Sequence, residues 1–183
     1  MTRHYDDLGT GPEWATPTNI YEPVAEAVGG FDLDPAAGAE SEPIAATRWT
    51  AEDNGLGREW FGDVFLNPPY GRVLNPVWAR YAHAQVHLAD RHDGDLRSLI
   101  ALVPASTSTY WWQDHYRYAD AHAMIPYKIT FRRNGEQSTN NASFASILCV
   151  WWLDGDVPER VLDALREAGK MDRPNPIMRE VPA

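Results

Sequence analysis

Apolar and polar positions alternate with several different periods along this chain, and each change of period marks a boundary. Three short apolar runs end abruptly: "FDLD" at 31–34, "DVFL" ending at Leu66, and "RSLIALVPA" across 97–105. Runs of this length, bounded by Pro and Gly, predict buried strands. A further short strand is expected within "ATRWTAEDNGLGREW", followed by a loop carrying acids. After Thr16-Pro17 a short helix is expected, with Pro23 near its first turn and Gly29-Gly30 ending it. "NPVWARYAHAQVHLADR" predicts a second helix, with Asn75 as N-cap and Pro76 at the first helical position. "TSTYWWQDHYRYAD" predicts a third. "DVPERVLDALREAGK" predicts the last, with Asp156 and Glu159 as a capping box, Val157, Val161, Leu162 and Leu165 toward the core, and Gly169 as the stop. Two apolar runs around the polar "RRNGEQSTNN" predict a late β-hairpin with a long tip.

Strands alternating with helices predict an α/β fold with a mostly parallel central sheet. With no internal repeat or linker, the chain reads as one domain over residues 1–183, its core about 13–169 and its tail, 170–183, loose. Ligands of such sheets bind outside the carboxyl ends of the strands. The two unusual strand ends, "DLDPAAG" and "FLNPPYG", are therefore expected on one rim.

Composition narrows the picture. Hydrophobic content of 44% and aromatic content of 11% exclude a disordered chain. No apolar run reaches the length of a membrane span and the first residues lack an apolar signal core, so a soluble, cytoplasmic protein is expected. The single cysteine, Cys149, excludes an internal disulfide and a cysteine-based zinc cluster, and reads as a small core residue. His83 and His87 stand one helical turn apart, but no third ligand is evident and no metal site is predicted. Net charge is −10, the wrong sign for gripping nucleic acid by charge alone. Only Lys128 and Lys170 are lysines among 16 basic residues, a composition that fits a high-salt cytoplasm or a GC-rich genome. Contacts to a polyanion must then be local.

"FLNPPYG", residues 65–71, holds the candidate chemistry. Pro68 and Pro69 cannot donate to a sheet, so the strand stops and a stiff segment displays Asn67 and Tyr70. The Asn67 side-chain carbonyl and the Pro68 main-chain carbonyl are two acceptors that suit an amine with two protons to give. Holding both N–H bonds draws a conjugated amine toward tetrahedral geometry and frees its lone pair. Tyr70 offers a flat face for a planar base. A methyl sulfonium is an electrophile strong enough to need no other catalyst. Asp34, at the companion strand end, could pair with the ammonium of an amino-acid moiety. Glu52 and Asp53 could accept from ribose hydroxyls. A bare tight turn at "NPPY" and solvated surface acids are the plain alternatives.

In "WATP" (14–17), "FDLDPAA" (31–37), "EDNGL" (52–56), "FLNPPYG" (65–71), "LVPAST" (102–107) and "ITF" (129–131), taken in that order, the chain resembles the phage-type DNA N6-adenine methyltransferases over about residues 13–150. "NPPY" alone is shared with glutamine-modifying protein methyltransferases and some RNA enzymes; the ordered series is far more specific. The resemblance implies a Rossmann-like class I methyltransferase fold, S-adenosylmethionine as cofactor and DNA as partner. It implies that Asn67, Pro68, Pro69 and Tyr70 hold and stack a flipped-out adenine. It implies that Trp14, Thr16, Pro17, Asp34, Pro35, Asp53 and Asn67 line the cofactor site, with Asp53 preferred over Glu52 for the nucleoside. Arg72, Lys128, Arg132 and Arg133 are the candidate DNA contacts, "RRNGEQSTNN" combining phosphate-binding arginines with side chains able to read base edges. Two departures stand out: "PAAGAE" replaces a Gly-x-Gly loop after Asp34, and the overall charge is unusually acidic for a DNA enzyme. Cytosine N4, an RNA adenine or a protein glutamine would present the same planar amino group, and a proline-motif binding module is the non-enzymatic alternative.

Overall fold

The computed structural model describes residues 15–168 apart from 40, 93, 134–135 and 138–141. Trp14, the stop expected at Gly169 and the tail from 170 lie outside the described residues, as do the side chains of Arg132 and Arg133. The strands are β1 (Phe31–Asp34), β2 (Ala45–Arg48), β3 (Gly62–Leu66), β4 (Leu96–Pro104), β5 (Ala121–Met124), β6 (Arg132–Arg133), β7 (Glu136–Gln137) and β8 (Ser146–Trp152). The helices are α1 (Thr18–Val28), α2 (Leu74–His92), α3 (Tyr110–Asp114) and α4 (Glu159–Glu167).

Six strands form one sheet in the order β2-β1-β3-β4-β8-β5, and β6 pairs with β7 in a separate ribbon. β2, β1, β3 and β4 run parallel, while β8 lies antiparallel to both β4 and β5. The mixed, mostly parallel sheet matches the expectation from the alternation of strands and helices. So does the late hairpin: β5 and β8 pair with Ala121 opposite Val150 and Met124 opposite Ile147, and the β6–β7 ribbon lies in their connection.

The interior strands are apolar at consecutive positions because both faces of the sheet are covered. From β3 and β4, Val64, Leu66, Leu99, Ala101 and Val103 pack with Trp78 of α2 and with Trp111 and Trp112 of α3. Phe65, Ile100 and Leu102 face the other way and pack with Ile20 and Val24 of α1 and with Val161 and Leu165 of α4. Cys149 is fully buried on β8, and burial pushes its thiol well above the usual range, leaving it inert. At the opening ends of the parallel strands, Arg97 bridges Asp32 and Asp63 at 2.6 Å each, and Ser98 Oγ donates to Asp63 Oδ1 at 2.7 Å.

Helix ends depart from the pattern in four places. α1 begins at Thr18, so Pro23 sits in its interior rather than its first turn; its end is as expected, with Gly30 N–H on the Ala25 carbonyl and Gly29 N–H on that of Glu26. α2 begins at Leu74, and Asn75 Oδ1 accepts from Gly71 N–H at 3.3 Å, tying the helix to the preceding loop. α3 is only Tyr110–Asp114, because His115 leaves helical geometry (φ −132°, ψ −68°) before a 3-10 turn at Tyr116–Tyr118. α4 has Pro158 at its cap without a side-chain bond, and Glu159 pairs with Arg166 instead of closing a capping box.

Candidate active site

β3 ends at Leu66 and β1 at Asp34, each directly before a proline-containing stop. The two strands pair in parallel with Leu33 opposite Val64, which brings both ends to one rim. A cleft of about 550 Å³, part of it at the open mouth, lies there between Thr16, Pro17, Asp34, Ser41, Glu42 and Asn67. Of the expected site residues, the structure thus brings together Thr16, Pro17, Asp34 and Asn67.

Both ends of the Asn67 carboxamide have partners. Nδ2 donates to Thr16 Oγ1 at 2.9 Å, and Oδ1 accepts from the Tyr70 hydroxyl at 2.6 Å. That hydroxyl also lies 3.0 Å from the Leu102 carbonyl oxygen on β4. Burial pushes the Tyr70 phenol well above its usual range, so it keeps its proton and can donate. The Tyr70 ring is held edge-on by Phe131 (5.9 Å between centroids) and Phe144 (5.2 Å, 87° between planes). Pro68 is buried and Pro69 half-buried, so the backbone carrying the two carbonyls is fixed on one side by the core.

Asp34 is the buried acid of the cleft, 7% exposed. Burial raises its pKa from 3.8 to about 7; the Ala36 N–H, 3.0 Å from Oδ1, and the Arg48 charge oppose the rise without cancelling it. Arg48 itself braces the segment beyond, its guanidinium on the carbonyls of Gly38 and Ala39. A carboxylate held this dry gains most from a cation delivered into the cleft.

Other expected residues stand apart from the cleft. Pro35 is packed against Gly55, where a Cβ would collide with the Pro35 carbonyl oxygen. The Asp53 carboxylate turns back on Thr50, accepting from its N–H (2.9 Å) and its hydroxyl (3.1 Å), which hold its pKa below the usual value. Asp53 does not line the cleft, whereas Glu42, an acid sequence reasoning passed over, does. Nothing in the local pattern at 41–44 marks it; only the closure of the loop after β1 brings it back to the rim. Tyr21 and Ile44 add apolar lining from α1 and the approach to β2. Arg72 is exposed in the turn before α2, and Lys128 is exposed on the connection beyond β5. The backbones of Arg132 and Arg133 form β6. His83 and His87 meet Nε2 to Nε2 at 2.8 Å, with the His115 ring 5.1 Å from that of His83. Among the described residues no group of three His, Cys, Asp or Glu is placed to hold a metal ion, and no helix is long and apolar enough to cross a membrane.

Comparison with known proteins gives the family. Residues 8–173 match the model of the family described as DNA N-6-adenine-methyltransferase (Dam). An alignment 67 positions long, covering 33% of this chain and 72% of the relative, is 37% identical to the Escherichia coli (strain K12) protein named "Putative methyltransferase YfdM". A family match spanning nearly the whole chain leads to one assignment: this protein belongs to the Dam family of DNA N-6-adenine methyltransferases.

Proposed function

We infer that the protein transfers a methyl group from S-adenosylmethionine to N6 of a DNA adenine flipped out of the duplex, on a Rossmann-like class I methyltransferase domain. The observation that carries this reading is the convergence of Asp34 and Asn67 on one cleft at the strand rim. The residues present fit the cofactor: a buried carboxylate suits its ammonium, and Thr16, Pro17 and Glu42 supply polar and apolar lining for the rest. Bound there, S-adenosylmethionine would supply an electrophilic methyl group.

The chain's own residues would do the remainder. Asn67 Oδ1 and the Pro68 carbonyl accept the two N–H bonds of the amine and localise its lone pair. Held reactants gain on the order of 7–11 kcal/mol at best from orientation alone. A base inside a duplex cannot reach Asn67, so the adenine must leave the stack, which costs a few kcal/mol. Stacking on Tyr70, roughly 1–3 kcal/mol per base, offsets much of that cost. Exposed Arg72 and Lys128, with Arg132 and Arg133, would supply the local phosphate contacts that an acidic protein needs.

The test is incubation of unmethylated DNA with the protein and methyl-labelled S-adenosylmethionine from low to molar salt, followed by resolution of the digested nucleosides. Label in N6-methyl-2′-deoxyadenosine that disappears with Asn67→Ala is the expected result. Label in N4-methylcytosine keeps the chemistry and overturns the substrate. Cofactor binding without DNA label redirects the reading to an RNA adenine or a protein glutamine, and no cofactor binding overturns it as a whole.

A further inference from the structure

A carboxamide is nearly symmetric in shape, and it can receive an amine only if its oxygen, not its nitrogen, faces that amine. The "NPPY" segment does not by itself decide which way Asn67 is turned. Two hydroxyls contact the amide, one from the N-terminal segment and one from Tyr70 of the same stop. Thr16, 51 residues away and 7% exposed, receives Nδ2 at 2.9 Å. The Tyr70 hydroxyl reaches Oδ1 at 2.6 Å and the Leu102 carbonyl oxygen at 3.0 Å, with one proton for two acceptors.

We propose that Thr16 is a positioning residue that holds Asn67 with its nitrogen toward the N-terminal segment, and that the Tyr70 hydroxyl occupies Oδ1 until the target amine replaces it. On arrival of the amine, the hydroxyl proton turns to the Leu102 carbonyl, so no buried acceptor loses its bond as the substrate enters. No bond is made or broken in this exchange; one hydrogen bond is redirected. Thr16 lines the cofactor cleft while its hydroxyl serves the acceptor of the methyl group, which couples the two halves of the site. The proposal rests on Asn67 holding the target amine.

The experiment is steady-state kinetics on Thr16→Val, Thr16→Ser, Tyr70→Phe and the Thr16→Val/Tyr70→Phe pair, with cofactor Kd and thermal melting measured alongside. Val matches Thr in volume, Ser restores the hydroxyl, and Phe keeps the ring against Phe131 and Phe144. Loss of the Thr16 hydroxyl is expected to lower kcat about 2- to 12-fold, the range of a single neutral hydrogen bond, beyond any change in cofactor Kd, with a folded protein by melting; loss of the Tyr70 hydroxyl, which competes with the amine for Oδ1, is expected to lower the KM for DNA by a similar factor without lowering kcat. Thr16→Ser is expected to restore kcat. The double variant is expected to deviate from the product of the singles, because both hydroxyls act on one amide. Wild-type kcat in Thr16→Val together with a wild-type KM for DNA in Tyr70→Phe, with Asn67→Ala inactive, overturns the proposal and leaves the role of Asn67 intact. An active Asn67→Ala overturns the underlying reading instead. A loss in Thr16→Val that appears only as weakened cofactor binding, and that Ser does not repair, assigns Thr16 to the cofactor alone and likewise overturns the proposal.

Discussion

Replacing Asp34 by Asn tests the electrostatic account of the cleft. The native carboxyl titrates near 7 in the folded protein and near 3.8 when unfolded. At 1.36 kcal/mol for each tenfold change in proton affinity, this difference corresponds to at most about 4 kcal/mol. The folded value is the higher one. Below pH 3.8 both states hold the proton and the group costs nothing; stability then falls as pH rises toward 7 and the unfolded chain releases its proton more readily. Asn cannot titrate, and its oxygen can still accept from the Ala36 N–H. Its own NH2 group brings a desolvation cost of about 1–3 kcal/mol that is the same at every pH. The informative quantity is therefore the change in the stability difference between pH 4 and pH 8, not its absolute value. Urea unfolding of the two proteins across that range should show the variant gaining about 4 kcal/mol on the wild type. Stability curves that stay parallel from pH 4 to pH 8 would refute the reasoning, since Asp34 would then be as well solvated folded as unfolded. The same variant should bind S-adenosylmethionine more weakly, because the cation loses its partner.

Three further outcomes follow from other parts of the molecule. Arg97→Leu leaves Asp63, whose side chain is 8% exposed, without its charged donor, and should cost about 1.5–3 kcal/mol in denaturant unfolding at pH 7. Gly55→Ala drives a Cβ into the Pro35 carbonyl, so a lower melting temperature should accompany weakened cofactor binding as the end of β1 shifts; unchanged melting would show that the loop yields freely. Arg72→Gln and Lys128→Gln should each weaken DNA binding across sequences and reduce the slope of log K against log salt by about 1, as read by fluorescence anisotropy.

The rim was legible because prolines write strand ends directly into a sequence. Pro35 and the Pro68–Pro69 pair end β1 and β3 where the pattern places the stops, and parallel pairing puts both ends together. What escaped the pattern depends on long-range bonds. The approach of Thr16 to Asn67 spans 51 residues and has no local signature. The absence of Asp53 from the cleft lining was equally hidden. It depends on how the loop of residues 49–61 folds: Asp53 is drawn back by Thr50, Trp60 Nε1 holds the Gly55 carbonyl at 2.9 Å, and buried Gln85 on α2 accepts from Trp60 N–H at 2.7 Å. Helix starts misread for a related reason. Asn75 has the chemistry of a cap, but in the folded loop its oxygen accepts from Gly71 N–H, and α2 begins at Leu74, two residues before Pro76.

The central claim is that the cleft at the ends of β1 and β3 receives the cofactor and turns it toward Asn67. A crystal structure with S-adenosylhomocysteine and a short adenine-containing DNA tests it most directly. The account expects the ligand's ammonium within about 3 Å of the Asp34 carboxylate. It also expects the sulfur to face an extrahelical adenine whose amino group lies between Asn67 Oδ1 and the Pro68 carbonyl. A ligand seated away from Asp34, or an adenine that never approaches Asn67, would contradict it.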